Sequence, residues 1–429
     1  MRKIIMFIFL STLMQVLNAA SLSPVEKKIA NHVTANQEEQ IALLKKLVNI
    51  NSETSNINGV HKVGELLQAE FNKLGFKTWW IEEPNFMHRA GTLMAERQGS
   101  TGKKLLLIGH LDTVFPANRK LHHFERQGHF ATGPGVLDMK GGDVVMVYAL
   151  KALNEVGALN NATIKIVLTG DEEDSGKPLI ISRKPLFEAA RHSDVALDFE
   201  HSISKDTATI ARRGISKWTV ETEGQEGHSS QIFQPSMGSG AIFELARILD
   251  TLRNQFAKEN NLTFNPGLIL GGNEISFDKN LTEGKASGKD NVIAKTAVAT
   301  GDIRFLSSMQ KSKAMEKMKS IVKGNLPGTQ SNIVFQTGIP AMQPSAANLN
   351  LLKEYSAVSE LLGFGKVKPL PVGLRGAGDI SHIASIVAAN LAGLGPVGVG
   401  AHSIQEKLDI NSLPIQTTRA AVLMYRLVQ

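Results

Sequence analysis

A histidine and an aspartate follow an apolar run in the first third of the chain. The segment LLLIGHLDTVF, residues 105–115, places His110 at the end of a predicted strand and Asp112 two residues after it. Residues two apart in a strand face the same side, so the Asp112 carboxylate can hydrogen-bond the His110 imidazole and orient it. The carboxyl ends of such strands are where α/β sheets place ligands and catalytic groups. His110 is therefore a candidate functional residue.

Four further acidic or histidine clusters each follow an apolar stretch. They are GPGVLDMKGG at 133–142, GDEED at 170–174, VALDFEH at 195–201 and AHS at 401–403. The chain contains no cysteine, so a metal would be held by nitrogen and oxygen atoms. Histidines with several carboxylates suit a pair of zinc ions, which a bridging carboxylate can hold about 3.5 to 4 Å apart. The pattern predicts a two-zinc site.

The blocks GHLDTVF, GPGVLDMKGG, DEE and GAHS also occur in the order and approximate spacing of a known family. The chain resembles the co-catalytic zinc metallopeptidases that include glutamate carboxypeptidase, succinyl-diaminopimelate desuccinylase, acetylornithine deacetylase and aminoacylase. The resemblance runs from about residue 35 to the end and is closest to the glutamate carboxypeptidase-like branch. It implies two Zn²⁺ per chain and hydrolysis of an amide bond.

The resemblance implies a role for each residue of the predicted metal site. His110 and Glu200 match the ligands of one zinc, and Glu173 and His402 match the ligands of the other. Asp138 matches the carboxylate that bridges the two ions. Asp198 remains an alternative to Glu200, because the two share a strand. Glutamate at this position is similar to the carboxypeptidase and deacylase branch, whereas aspartate is similar to the aminopeptidase branch.

Two neighbours of these ligands carry implied roles as well. Glu172 resembles the general base that takes a proton from the metal-bound water and later delivers it to the leaving amine. Asp112 resembles the catalytic-site group that orients His110. The resemblance also implies a cis peptide bond between Asp138 and Met139.

Strands and helices alternate as far as residue 199, which predicts a doubly wound α/β sheet. A change comes at Arg212-Arg213-Gly214, after which strands at 218–222, 297–305 and 332–337 surround a helix at 240–256. We expect a catalytic domain with a mixed sheet, formed by residues 21–213 and 339–429, and an inserted α+β (βαββαβ) domain at 214–338. Family resemblance makes that insert a lid that also dimerises.

Three residues of the insert match substrate-handling positions. His228, in EGHSS, resembles the histidine that reaches the partner's active site and stabilises the oxyanion. Asn291 and Arg304 resemble the pair that grips the substrate carboxylate, for which the guanidinium fork is suited. Ala294 departs from the family, where proline is frequent, so the local loop geometry stays open. Outside the insert, we expect Asp379 to cap a helix.

The amino terminus reads as a signal peptide at residues 1–20, with a basic start, an apolar core at 4–17 and small residues at the end. The apolar run is shorter than a bilayer span and contains polar residues, so we expect export to the periplasm or medium without a stable membrane anchor. The formal net charge of +7 is dispersed, and no basic arm indicates nucleic-acid binding.

The expected function is that of a carboxypeptidase-like exopeptidase acting on a peptide or N-acyl amino acid and assembling as a homodimer through the lid. An N-acyl amino acid deacylase or desuccinylase is the alternative. An aminopeptidase or dipeptidase is disfavoured by Glu200. A non-catalytic homologue is disfavoured because all five ligand positions and the base position are filled.

Overall fold

The computed structural model describes residues 21–117, 123–278 and 283–429. The signal-peptide prediction for residues 1–20 lies outside these residues. In the described part of the chain, no helix combines the length and the apolar character needed to cross a bilayer.

A six-stranded mixed sheet forms the centre of the larger core. Its order is Lys77–Ile81, Thr92–Arg97, Ala162–Thr169, Thr101–His110, Val195–Asp198 and Ala389–Ala392. The first two strands pair antiparallel and the last four run parallel to one another. Because Thr101–His110 lies between two parallel neighbours, three carboxyl ends meet at one edge of the sheet.

Helices cover both faces of this sheet, as a doubly wound fold requires. Leu105 and Leu107 face one core, whereas Leu106 and Ile108 face the other. The first core is closed by the helices Pro24–Ala35, Gln37–Val48, Ile57–Lys73, Lys140–Glu155, Ala346–Leu361 and Ser412–Leu427. The second is closed by Lys184–Ala190 and Asp379–Ile383, next to the short helix Leu179–Ser182.

The segment after Gly214 forms a second sheet with its own core. The strands lie in the antiparallel order Thr263–Gly272, Thr296–Phe305, Gly214–Gly224 and Thr329–Gln336. Alternate residues such as Trp218 and Val220 pack against the helices Ala241–Phe256 and Ser308–Lys323. The helices therefore cover a single face, as expected for an α+β insert.

The sequence pattern does not predict the strand Thr263–Gly272 or the hairpin formed by Glu274–Asp278 and Glu283–Ser287. Pro266 and the glycines of Thr263–Gly272 weaken the strand pattern of that segment. A register shift occurs between Pro266 and Leu268. Proline is tolerated there because the strand lies at a sheet edge.

Smaller elements join the ends of the larger core. A four-stranded sheet contains Glu125–Gln127, Phe130–Thr132, Lys407–Asp409 and Gly398–Val399, and a parallel pair contains Thr207–Ala208 and Lys368–Pro369. Short 3₁₀ turns occur at Asn85–Met87, Ser229–Gln231 and Val372–Leu374. The four-stranded sheet brings the segment before Asp138 next to the segment around His402.

Candidate metal centre

His110 ends the central strand and is held by Asp112. The His110 Nδ1 atom lies 3.3 Å from Asp112 Oδ1. The same buried carboxylate accepts a hydrogen bond from the Thr54 hydroxyl (2.6 Å) and from the backbone N–H groups of Glu172 and Glu173 (3.1 Å each). One carboxylate thus fixes both a histidine and the turn that bears two glutamates.

Asp138 lies between two histidines. Its Oδ1 atom is 3.4 Å from His110 Nε2, and its Oδ2 atom is 3.1 Å from His402 Nε2. Glu173 Oε2 is also 3.1 Å from His402 Nε2. Because each oxygen of Asp138 faces a different imidazole nitrogen, this carboxylate has the placement required of a bridging ligand.

Glu200 joins the same cluster. Ligand atoms of His110, Glu172 and Glu200 all lie within 4.8 Å of one another, as do those of His110, Asp138 and Glu173. The position of Asp198 is different, since its carboxylate pairs with Arg212 at 3.3 Å and accepts the backbone N–H of Glu200. The geometry therefore favours Glu200 over Asp198 as a ligand.

The unpaired atoms of this cluster suit a metal. His110 Nε2 and Glu173 Oε1 are buried without a hydrogen-bond partner. Buried polar atoms almost always have partners, so such atoms in a cleft point to a bound group. Imidazole nitrogen and carboxylate oxygen are ligands that zinc accepts. The residues present therefore fit the predicted pair of cations.

The concentration of acids shifts several pKa values. Burial, with the nearby carboxylates of Glu200 and Glu173, raises the pKa of Glu172 well above its ordinary range. Hydrogen bonds to Asp138 and Glu173 raise the pKa of His402 to about 11. In the metal-free chain, His402 is therefore protonated at neutral pH and balances part of the negative charge.

The backbone at the bridging carboxylate is held by a buried acid. The Asp138–Met139 peptide bond is cis, as the resemblance implies. Glu406 Oε1 accepts the backbone N–H groups of Leu137 (2.8 Å) and Asp138 (3.1 Å). Burial raises the pKa of Glu406 to about 8. Sequence reasoning missed Glu406, since an isolated acid four residues after His402 matches no motif.

The expectation that Asp379 caps a helix is wrong. Gly378 occupies the cap position, and Asp379 accepts hydrogen bonds from Arg183 Nε (2.7 Å) and Thr169 Oγ1 (2.6 Å). Arg183 also donates to the Asp171 carboxylate and carbonyl. This buried ion-pair network braces the turn that carries Glu172 at the point where it leaves the sheet.

The cluster opens into a cleft of about 270 Å³. Besides the predicted ligands and Glu172, its lining includes Gly376 and Ala377, which lie where the resembling family has a glycine-rich turn lining the substrate pocket, and also His201, Ile203, Arg212, Leu374, Arg375 and Ala401. His201 stands in the block VALDFEH, but that pattern indicates no role for it, and Arg375 stands in no recognisable block. Arg212 marks the change of pattern before the insert in the sequence, which indicates no role for it in the site.

The three predicted substrate-handling residues of the insert differ in their distance from the cleft. Arg304 donates to Asp302 at 3.0 Å, and a side-chain carbon added at Gly376 in the cleft wall would lie 3.6 Å from Arg304 Nη1. His228 and Asn291 are exposed and are not among the described residues that line the cleft. Arg304 thus approaches the cleft wall of its own chain at Gly376, but none of the three insert residues is among the described residues that line the cleft.

Comparisons with known proteins agree with the motifs and the fold. The sequence model of Peptidase family M20/M25/M40 matches residues 106–426. Carboxypeptidase G2 from Pseudomonas sp. (strain RS-16) is 28% identical over 395 residues, which cover 91% of this chain and 90% of the relative. A succinyl-diaminopimelate desuccinylase from Bradyrhizobium sp. (strain ORS 278) is 25% identical over 338 residues, covering 75% and 82%.

A solved structure shares the fold over nearly the whole chain. The YXEP protein of Bacillus subtilis, described as a dinuclear metal-binding peptidase from the M20 family, matches with a TM-score of 0.65 at 14% identity. The match covers 92% of this chain and 99% of that one. The likeness confirms the expected α/β fold class.

We predict that metal binding at His402 releases protons. Ligation needs a neutral imidazole, so at neutral pH the metal must displace the proton that Asp138 and Glu173 retain on His402. Affinity at this position should rise by up to about tenfold per pH unit below the His402 pKa. Calorimetric titration of the metal-free chain with zinc, in buffers of different ionisation enthalpy, measures the protons released. A His402→Ala variant with unchanged zinc content and proton release would contradict the assignment.

Proposed function

Because the chain belongs to Peptidase family M20/M25/M40, we propose that it is a two-zinc exopeptidase releasing a carboxylate-bearing amino acid, as a glutamate carboxypeptidase does. Family membership makes it an enzyme that hydrolyses peptide-type bonds. The observation that carries the proposal is the placement of His110 and His402 against opposite oxygens of Asp138, with Glu172 in the same cleft.

We assign His110 and Glu200 to one zinc, Glu173 and His402 to the other, and Asp138 to both. Two histidines, three carboxylates and no thiolate suit zinc, and the likeness to a dinuclear peptidase supports two ions. When bound, the ions supply an activated water and polarise the scissile carbonyl.

Glu172 is the proposed general base. Its backbone is fixed by the hydrogen bond to Asp112, and its carboxylate lies in one cluster with His110 and Glu200. The carboxylate accepts a proton from the attacking water and delivers it to the leaving nitrogen. A pKa raised by burial makes Glu172 a stronger base in its ionised form.

Arg304 is the proposed carboxylate-binding residue. Its Nε–H donates to Asp302 and its Nη1 atom approaches Gly376 of the cleft wall, so we assign its terminal nitrogens to a bidentate contact with the substrate carboxylate. Such a contact favours substrates whose leaving group ends in a carboxylate. The likeness to carboxypeptidase G2 over 91% of this chain supports the same choice.

A second copy of the chain would complete the cleft. Strand Thr263–Gly272 is hydrogen-bonded on one side only among the described strands, and the exposed apolar side chains Ile242, Phe243 and Ile269 lie nearby. Antiparallel pairing of this edge with its copy would cover them and form a homodimer through the lid. His228 and Asn291 would then serve the partner's cleft.

The second candidate is an N-acyl amino acid deacylase or desuccinylase, favoured by the 25% identity to a desuccinylase. It would use the same metal site and base, and only the acyl group would differ. Aminopeptidase activity is less well supported, because Glu200 rather than Asp198 lies with the ligands. The apolar amino terminus supports action in the periplasm or outside the cell. A panel of folyl-glutamate, N-acyl, N-succinyl and dipeptide substrates separates these activities.

Replacement of Glu172 by Gln tests the base. The amide keeps the size of the side chain but cannot accept the proton, so turnover should fall by at least about 10² to 10⁴-fold. Zinc content, measured by elemental analysis, should stay at the wild-type value. Near-normal turnover would assign the base to another group.

Replacement of Arg304 by Ala tests the substrate carboxylate. The Michaelis constant for an N-acyl glutamate should rise about 30-fold. This corresponds to the lower end of the about 2 to 5 kcal/mol that a charge pair loses with one partner, because the guanidinium is only partly buried. Its α-amide, which lacks the charge, should be little affected. Equal losses on both substrates would show a general structural defect, and Arg304→Lys is the matched charge control.

A mixture of two inactive variants tests the dimer. His228→Ala chains keep the base, and Glu172→Gln chains keep the histidine, so a heterodimer contains one cleft with both groups. Activity should partly return once subunits exchange, as monitored with two affinity tags. Isolated heterodimers without recovered activity would show that His228 does not act across the dimer.

A further inference from the structure

A third histidine lies in the cleft. His201 follows Glu200 directly and is 8% exposed. Its Nδ1 atom is 3.9 Å from Asp138 Oδ2 and 4.0 Å from Glu200 Oε2. Ligand atoms of these three residues lie within 4.8 Å of one another, so distance alone would admit His201 as a metal ligand.

Arg375 determines which ring nitrogen of His201 carries the hydrogen. Arg375 Nη1 lies 2.8 Å from His201 Nε2, and Arg375 Nη2 donates to Glu200 Oε2 at 2.5 Å. A guanidinium is always protonated and can only donate. His201 Nε2 must therefore accept, and a neutral imidazole that accepts at Nε2 carries its hydrogen on Nδ1.

The hydrogen on Nδ1 faces the two carboxylates. Nδ1 is buried and has no hydrogen-bond partner at the present distances. A protonated nitrogen cannot ligate a cation, but it can donate to a lone pair of Asp138 Oδ2 or Glu200 Oε2 that a metal does not use. Groups that hydrogen-bond to ligating carboxylates orient them and tune metal affinity.

We propose that Arg375 locks His201 in the Nδ1–H tautomer, which makes His201 a positioning residue for Asp138 and Glu200 rather than a metal ligand. The arrangement also preserves an open coordination position, because a third imidazole would occupy space that a catalytic zinc site keeps for water and substrate. The proposal rests on the two-metal site of the proposed function.

Nitrogen NMR of the chain labelled with ¹⁵N-histidine measures the tautomer directly. His201→Asn identifies the His201 signals by their loss. We expect Nε2 to be unprotonated and Nδ1 protonated in both the metal-free and the zinc-loaded chain. An unprotonated Nδ1, or one that shifts on zinc binding as we expect the ligand nitrogens of His110 and His402 to shift, overturns the proposal.

Two substitutions at position 201 separate a donor from a ligand. His201→Asn keeps an N–H group near the place of Nδ1, whereas His201→Leu removes it. Zinc affinity, measured by chelator competition, should stay within about threefold of wild type in the first variant and fall about 10- to 100-fold in the second. Equal losses in both variants would indicate a ligand, and no loss in either would exclude positioning; both results overturn the proposal.

Arg375→Met tests the lock itself. Without the guanidinium, His201 should populate both tautomers in the metal-free chain, whereas an unchanged tautomer would refute the role of Arg375. Thermal unfolding of each metal-free variant verifies that it is folded. Failure of the wild-type chain to bind two zinc ions would refute the proposed function. The His201 tautomer in the metal-free chain would still test the role of Arg375.

Discussion

The mutual repulsion of buried carboxylates at the end of the central sheet governs the architecture around the cleft. Asp112, Asp138 and Glu200 are buried, and the partly buried Glu172 and Glu173 lie close to them at the base of the cleft. Burying charges without partners costs several kcal/mol per group, so each acid needs a cation or a donor. Asp112 has three donors and a histidine, Asp138 has two histidines, and Glu200 has an arginine.

Three buried arginines supply much of the compensating charge. Arg183 joins Asp171 to Asp379, Arg212 joins Asp198 to the carbonyls of Gly376 and Ala377, and Arg375 joins Glu200 to His201. These contacts link the 371–378 segment to the strand ends that carry the acids. The charge balance and the shape of the cleft wall therefore depend on the same side chains.

The parts of the site that the sequence predicts are those whose signal is local. His110, Asp138 and His402 each stand in a block next to an apolar run, and the alternation of strands and helices predicts the sheet that gathers them. Glu406 contacts a backbone 268 residues away, and Arg375 contacts a carboxylate 175 residues away. Local sequence patterns do not predict contacts between residues so far apart in the chain. These supporting residues are therefore identified only in the folded structure. Strand Thr263–Gly272 was missed for a local reason, its proline and glycine content.

Metal binding and folding are coupled through this charge arrangement. In the metal-free chain, a protonated His402 and carboxyl groups with raised pKa values relieve the repulsion. Cations that bind only the folded cleft stabilise it by mass action, and they do so in competition with the same protons. The insert, whose sheet contributes none of the predicted ligands, is free of this constraint. Its residues can therefore vary without disturbing the buried acids, as the proposed contacts with substrate and with a second copy require.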